Sequence, residues 1–248
     1  MTAGSSPAAK HAWFAAVVYA MVFAGMRVIG TLGPANLRWV MPLGFVLMAV
    51  LPFVLLRAPA RRDMGLKLAG GPRDYGLAIV AGAGAALACF VLGKALFDAS
   101  PDNWFMSIAG SYRRNMDTTG WDLVRLHLVF TIPAIVFSPI GEEIFFRGYL
   151  QYMLEQRFSA RASTTGECAA FAVVHLCHHG LFVAATGIGF RPLSGLLWML
   201  LMFGTALMFA WLRKRTGSLL PAIASHAAFN LVMNLTIFRF LWQSTSPM

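Results

Sequence analysis

Two adjacent glutamates and an arginine, Glu142, Glu143 and Arg147, stand inside a strongly apolar part of the sequence. A charged group near the centre of a bilayer costs roughly 3 kcal/mol or more, so it needs a partner or a function. Glu143 and Arg147 are four residues apart, share a helix face and are expected to form an ion pair. Glu142 points about 100° away from Glu143, which leaves its carboxylate free to face a cavity as a general base. The simpler alternative is that both acids cap a helix at the membrane edge.

Three more polar side chains interrupt apolar stretches closer to the C-terminus. His175 follows Phe171 by one helical turn, and His226 precedes Asn230 by four residues on the same helix face. A single histidine in an apolar helix is most often a hydrogen-bonded core residue. Ionisable residues inside a membrane, however, usually face the interior of the bundle and mark a functional path. The sequence therefore predicts that these side chains meet Glu142 at one polar site.

The composition requires these side chains to be positioned by membrane helices. The chain has 248 residues, of which 58% are hydrophobic and only 12% are charged, against about 25% charged in a soluble domain. We expect an all-α, polytopic transmembrane bundle of about seven to eight helices, in a single membrane domain spanning 1–248. Residues 1–122 would supply the N-terminal helices and 123–240 the catalytic part. The predicted spans are Ala12–Gly30, Trp39–Leu56, Tyr75–Phe97, Leu123–Ile140, Gly166–Ile188, Gly195–Leu212 and Leu219–Phe238.

Two further segments have less regular patterns. The stretch Gly141–Phe158 mixes apolar and polar residues and reads as an additional helix. It either continues the fourth span after a bend at Ser138-Pro139 or lies at the interface as a separate helix, which would allow an eighth crossing. The polar loop Asp98–Asp122 has apolar residues near helical spacing, and we expect a short amphipathic helix on the outer membrane surface.

The basic residues predict an orientation in the membrane. The net charge is +10, but the basic residues lie between apolar spans and not on one face, so a nucleic-acid partner is not expected. The denser clusters, Lys10, Arg57–Arg73 and Arg213–Arg215, lie on the side of the N-terminus, which predicts a cytoplasmic N-terminus. Counting helical rise from that side places His175 and His226 roughly 10–14 Å below the cytoplasmic surface.

The polar residues resemble the three motifs of the CPBP family, the CAAX proteases and bacteriocin-processing enzymes, also called the Abi family. The neighbouring Phe146-Arg147-Gly148 and Leu220-Pro221 fit the resemblance, which covers about Ile140 to Leu235. The three motifs in this order are fairly specific, although each one alone is weak. They are Glu142-Glu143-x-x-x-Arg147, Phe171-x-x-x-His175 and His226-x-x-x-Asn230.

The resemblance implies an intramembrane endopeptidase of the glutamic type that needs no cofactor. Glu142 would then be the base that activates water, and His175 would help to hold that water. His226 and Asn230 would donate hydrogen bonds to the developing oxyanion. Glu143 and Arg147, with Phe171 beside them, would support the site. Such chemistry requires a polar cavity that opens to one surface of the bundle.

The second motif departs from this pattern, because it continues as Leu176-Cys177-His178-His179. His175 and His179 are four residues apart, the spacing of a zinc-binding pair on a helix. With His226 or a glutamate they could form a three-ligand catalytic zinc site. We favour a site without metal, because no glutamate stands between the two histidines. His178 and His179 would then be polar lining of the cavity.

These observations predict a protease that cleaves a membrane-associated protein or peptide within the lipid bilayer. The substrate could be a prenylated C-terminal tail, a bacteriocin-like leader or a C-terminal sorting helix. The short chain without appended domains favours a multi-pass protein of the bacterial inner (cell) membrane. Two alternatives outside proteolysis are a non-catalytic immunity or binding protein of the same fold and a proton-coupled transporter. The sequence carries no information on the oligomeric state.

Overall fold

The computed structural model describes residues 12–244, and within this range nine helices and one short hairpin confirm the predicted all-α bundle. The hairpin pairs β1 (Leu181–Ala184) with β2 (Gly187–Phe190) in antiparallel register, Leu181 opposite Phe190. The helices are α1 (Ala12–Leu32), α2 (Val40–Leu55), α3 (Ala58–Asp63), α4 (Pro72–Phe97), α5 (Trp104–Asn115), α6 (Leu123–Glu155), α7 (Ala160–Val174), α8 (Pro192–Thr216) and α9 (Leu220–Leu241).

Six of these helices, α1, α2, α4, α6, α8 and α9, are long and apolar enough to cross a membrane, α2 together with the turn that precedes it (Ala35–Leu55). The protein is therefore an integral membrane protein. This number is below the seven to eight expected. The predicted helical span Gly166–Ile188 is wrong, because α7 ends at Val174 and the chain continues as a 3₁₀ turn and the hairpin. The chain passes from the 3₁₀ turn into β1 at Gly180, whose φ of 110° lies in the region that favours glycine.

Helix α6 carries the acidic motif and runs through the whole predicted bend without interruption. The stretch Gly141–Phe158 therefore continues the fourth span, which was one of the two alternatives, and adds no crossing of its own. Within α6 the segment Glu143–Leu150 is π-helical, so that its hydrogen bonds reach one residue further than in an α-helix. It begins directly after Glu142, and such π-helical turns are frequent at functional sites.

The bundle has two ends, which we name the Lys67 end and the Arg114 end after residues at each. At the Lys67 end, Ser218 Oγ in the α8–α9 connection donates a hydrogen bond to the Lys67 carbonyl oxygen at 2.6 Å. Lys214, in the last turn of α8, donates to Thr164 Oγ1 in α7 at 2.5 Å, so α7 starts at this end.

The hairpin brings the chain to the Arg114 end. Arg191, directly after β2, lies 3.6 Å from Asp102 in the connection between α4 and α5. Helix α7, the turn after it and the hairpin thus lead from the Lys67 end to the Arg114 end, in addition to the six helices of residues 12–244 that have the length of a membrane span. The predicted cytoplasmic N-terminus rests partly on Lys10, which lies outside the described residues.

The polar loop Asp98–Asp122 contains the expected short helix, α5, but not in the expected place. Trp104 and Phe105 are fully buried, and Ile108 is 6% exposed. The indole of Trp104 stacks on that of Trp198 in α8 and donates to the Cys89 carbonyl oxygen in α4. Helix α5 therefore inserts its apolar face into the bundle instead of lying on the membrane surface.

Candidate active site

A cavity of about 290 Å³ lies inside the bundle and is walled by side chains from α1, α2, α5, α6, α7, α8 and α9. The residues predicted from the second and third motifs, Phe171, His175, His226 and Asn230, all line it. Glu142 is fully buried behind this wall, and its Oε2 lies 3.8 Å from His175 Nε2. The structure thus brings together polar groups of α6, of the 3₁₀ turn after α7 and of α9, which are far apart in sequence.

The Glu142 carboxylate is not free, contrary to the expectation from helix geometry. Its Oε1 accepts a hydrogen bond from Arg27 Nη1 at 2.5 Å and a second one from Ser138 Oγ at 3.1 Å. Both donors converge on the same oxygen, and Oε2 has no hydrogen-bond partner. The expectation failed because helix periodicity compares residues of one helix, whereas Arg27 reaches Glu142 from α1.

His175 presents one ring nitrogen to this unpaired oxygen. Its Nδ1 lies 2.6 Å from the Phe171 carbonyl oxygen and donates to it, since a carbonyl can only accept. The backbone of His175 is fixed in turn by Trp198, whose Nε1 donates to the His175 carbonyl oxygen at 3.1 Å. In the neutral ring Nε2 is then an acceptor, and it faces Glu142 Oε2.

The predicted ion pair between Glu143 and Arg147 is present, with Arg147 Nη1 3.2 Å from Glu143 Oε1. The same carboxylate oxygen accepts from His226 Nδ1 at 2.8 Å. Arg147 Nε also lies 3.6 Å from Glu167 in α7, and its guanidinium stacks over the Phe171 ring at 4.0 Å. Glu143, Arg147 and Glu167 are all fully buried, so this network fixes His226 from behind the cavity.

Asn230 reaches the cavity one turn after His226. Its Nδ2 donates to the Ala134 carbonyl oxygen of α6 at 2.8 Å. This bond uses one of the two N–H groups of the amide and leaves the other available to a ligand.

The two extra histidines of the second motif have different surroundings. His178 lines the cavity, and its Nε2 accepts a hydrogen bond from Arg27 Nε at 2.9 Å. His179 is fully buried, with its Nδ1 2.8 Å from Ser107 Oγ on α5. Across residues 12–244, no group of three His, Cys, Asp or Glu side chains is arranged to hold a metal ion. The alternative zinc ligands His175, His179 and His226 are therefore not brought together.

Sequence reasoning missed two charged residues of the site, Arg27 and Glu167. Arg27 had a signal that could have found it, because it is a charge inside an apolar span, which by default marks a functional position. Glu167 stands at the start of the predicted span Gly166–Ile188 and resembles a membrane-edge residue, whereas it lies in the middle of α7. Its burial against Arg147 depends on the tertiary structure.

The cavity extends from the histidines toward the Arg114 end. Asn115 at the end of α5 and Thr31 at the end of α1 line it there, and Phe137 on α6 is 50% exposed. Counting from the sequence placed the site below the surface of the Lys67 end, but its cavity reaches toward the opposite end. At that end the Arg38 guanidinium donates to the Arg114 carbonyl oxygen, and burial, together with the charges of Arg38 and Arg191, lowers the pKa of Arg114.

Comparison with known families gives an independent result for this part of the chain. The family model described as type II CAAX prenyl endopeptidase, Rce1-like, matches residues 124–232. These residues include all three motifs and exclude α1, which carries Arg27. Comparisons with curated proteins and with solved structures gave no match. This match supports the prediction that the protein is a protease and that its substrate is a membrane-associated protein. The segment 124–232 is similar to the Rce1-like type II CAAX prenyl endopeptidases, which confirms the resemblance to the CPBP family.

Proposed function

We propose that this protein is an intramembrane endopeptidase in which Glu142 activates a water molecule for attack on a peptide bond. The observation that carries the proposal is the pairing of two acceptors 3.8 Å apart, His175 Nε2 in the cavity wall and Glu142 Oε2 directly behind it. A water molecule at hydrogen-bonding distance, about 2.8 Å, from each could donate one proton to each. The two acceptors would hold it at the bottom of the cavity.

The reaction follows from general base catalysis. The oxygen of this water attacks the carbonyl carbon of the peptide bond while one of its protons passes to Glu142 Oε2. The carbonyl oxygen becomes an oxyanion. When the C–N bond breaks, the proton on Glu142 passes to the leaving amine, and the carboxylate is restored. The products are a carboxyl terminus and an amino terminus, and no metal or redox cofactor is required.

His226 and Asn230 are the proposed donors to the oxyanion. Asn230 has one N–H that the protein does not use. The Nδ1–H of His226 donates a hydrogen bond to Glu143 Oε1, so Nε2 can donate as well only when the ring is an imidazolium. The Glu143 carboxylate, 2.8 Å from Nδ1, is the counter-charge of that form. The proposed role of Glu143, Arg147 and Phe171 is therefore to hold His226 in position and to balance its charge.

The substrate class follows from the family and the location of the site. We propose a membrane-associated protein or peptide that carries a C-terminal tail, a leader or a sorting helix. The exposed Phe137 beside the cavity and the apolar lining suit a segment that enters from the lipid. We also retain the proposal of a bacterial cell membrane with a cytoplasmic N-terminus.

The decisive experiment compares the membrane peptidome of cells that carry the wild type with that of cells that carry Glu142→Gln. We expect a C-terminal or leader fragment that disappears with Glu142→Gln and persists with the control Glu155→Gln at the end of the same helix. Equal protein levels in the membrane must accompany the comparison. Unchanged fragments with Glu142→Gln would refute proteolysis by this site, and substrate flux without a cleaved product would support a transporter instead.

A further inference from the structure

We propose that Arg27 is a positioning residue of the active site, which aligns the catalytic carboxylate from a helix outside the family segment. This inference rests on the proposed function. Arg27 is on α1, is 5% exposed and lines the cavity. Its guanidinium contacts Glu142 Oε1 at 2.5 Å. The site is then completed by the N-terminal half of the chain, and residues 124–232 alone lack one of its charges.

The contact selects which oxygen of Glu142 does the chemistry. Arg27 and Ser138 both donate to Oε1, so this oxygen is held by two hydrogen bonds. Oε2 is left without a donor and faces His175 Nε2. A carboxylate whose two oxygens are differentiated in this way cannot rotate freely, and the free oxygen stays directed at the water position. Such fixed orientation is a recognised source of rate enhancement.

The charge of Arg27 also matters, because Glu142 is fully buried. An ionised carboxylate without a counter-charge is costly in a low-dielectric interior, and a general base must be ionised to accept a proton. Arg147, the other buried arginine near the motif, is engaged by Glu143 and Glu167. Arg27 is therefore the counter-ion that Glu142 has in direct contact.

His178 and Phe45 fix Arg27 in turn. The Nε–H of Arg27 donates to His178 Nε2 at 2.9 Å, and its guanidinium lies 5.3 Å from the centre of the Phe45 ring. The planar guanidinium thus spans two acceptors, Glu142 and His178, with two different N–H groups. A lysine ammonium can supply the charge but not this rigid two-point geometry. This assigns a role to the unusual histidine that follows the second motif.

A first test needs no substrate and uses thermal unfolding of the full-length protein in detergent. We expect Arg27→Gln to lower Tm by roughly 6–20 °C, because it leaves Glu142 buried and unpaired. In the Glu142→Gln background the same change should cost less than about half as much, since the charge to be balanced is gone. Equal losses in both backgrounds would refute the ion pair. The control Arg62→Gln removes an exposed arginine and should leave Tm unchanged.

The second test measures kcat and KM on a peptide that carries the cleavage site found in the peptidome comparison. Arg27→Gln should lower kcat by about 10²-fold with little change in KM. Arg27→Lys should restore part of this loss. Arg27→Ala should regain activity with millimolar guanidinium chloride but not with sodium chloride, which a merely structural role would not produce.

Variants of His178 test the same inference in a protein that keeps Arg27. We expect His178→Phe, which cannot accept from Arg27, to lower kcat more than His178→Gln, whose side-chain oxygen can. Unchanged or increased kcat in folded Arg27→Gln would overturn the inference, and an increase would identify Arg27 as an inhibitory latch. If Glu142→Gln is inactive while the Arg27 and His178 variants cleave normally, the proposed function stands and only this inference fails.

Discussion

Gly82 on α4 lies against the backbone of Ser225 on α9, so closely that a Cβ atom at Gly82 would fall 1.9 Å from the Ser225 carbonyl oxygen. Small residues, Ala78 and Ala86, lie one turn before and after it on the buried face of α4. Close approach of two membrane helices depends on such small side chains. Because Ser225 directly precedes His226, this contact also sets where the histidine stands relative to Glu143.

We predict that Gly82→Ala both destabilises the protein and lowers its activity. An alanine normally stabilises a helix interior by about 1 kcal/mol relative to glycine. Here the added methyl group must push α9 away and displace His226. Gly84→Ala is the matched control, because a Cβ atom at Gly84 meets nothing within 4 Å. Thermal unfolding in detergent should give a lower Tm for Gly82→Ala than for Gly84→Ala, and peptide cleavage should be slower. Equal Tm and equal cleavage rates in the two variants would contradict the prediction.

The sequence predicted the fold class and the motif residues because both depend on local patterns. Long apolar stretches predict membrane helices, and a spacing of four predicted the pair of Glu143 and Arg147. The structure keeps both features. Six of the seven predicted spans correspond to helices of sufficient length.

The predictions from sequence were wrong where parts of the chain that are distant in sequence contact each other. Helix α7 and the hairpin form one apolar stretch in sequence, and apolar content alone does not distinguish a buried turn from a helix. The partner of Glu142 is 115 residues away, on α1, and no spacing rule connects them. Helix α5 was placed on the membrane surface because its sequence is amphipathic. Its apolar face is instead covered by Trp198 and other core residues.

The second prediction concerns the buried charges behind His226. Arg147→Met would leave Glu143 and Glu167 without their shared guanidinium in a fully buried position. We expect a loss of about 3–5 kcal/mol in the free energy of unfolding. Adding Glu167→Gln should recover part of this loss, because it removes one uncompensated charge. Arg157→Met, on an exposed arginine after the same helix, should change stability by less than about 0.5 kcal/mol.

These free energies can be compared through thermal unfolding of the four proteins in one detergent. A similar loss for the Arg147 and Arg157 variants would contradict the network. So would a double variant that is less stable than Arg147→Met alone.

The third prediction separates an oxyanion donor from a structural amide on the same helix. Asn230→Ala should lower kcat by about 10²–10³-fold with a smaller change in KM, as for the removal of one oxyanion donor. Asn234 lies one turn further, is fully buried and accepts from the Tyr112 hydroxyl at 2.8 Å. Asn234→Ala should cost about 1–3 kcal/mol of stability and retain most of kcat. Steady-state kinetics on folded protein would check both, and a larger loss of kcat in the Asn234 variant would count against the assignment.

The fourth prediction concerns metal dependence. We expect peptide cleavage to continue after zinc is removed with a chelator. His179 is hydrogen-bonded to Ser107 and does not form a set of metal ligands with His175 and His226. His179→Gln should then keep most of the activity of the folded protein, whereas His175→Gln should lose it, since His175 faces Glu142 Oε2. A metalloenzyme behaves differently in both tests. Chelation would stop cleavage, added zinc would restore it, and His179→Gln would be as inactive as His175→Gln. Measuring cleavage against zinc content in the three proteins therefore distinguishes a glutamate that activates water directly from a histidine-bound metal.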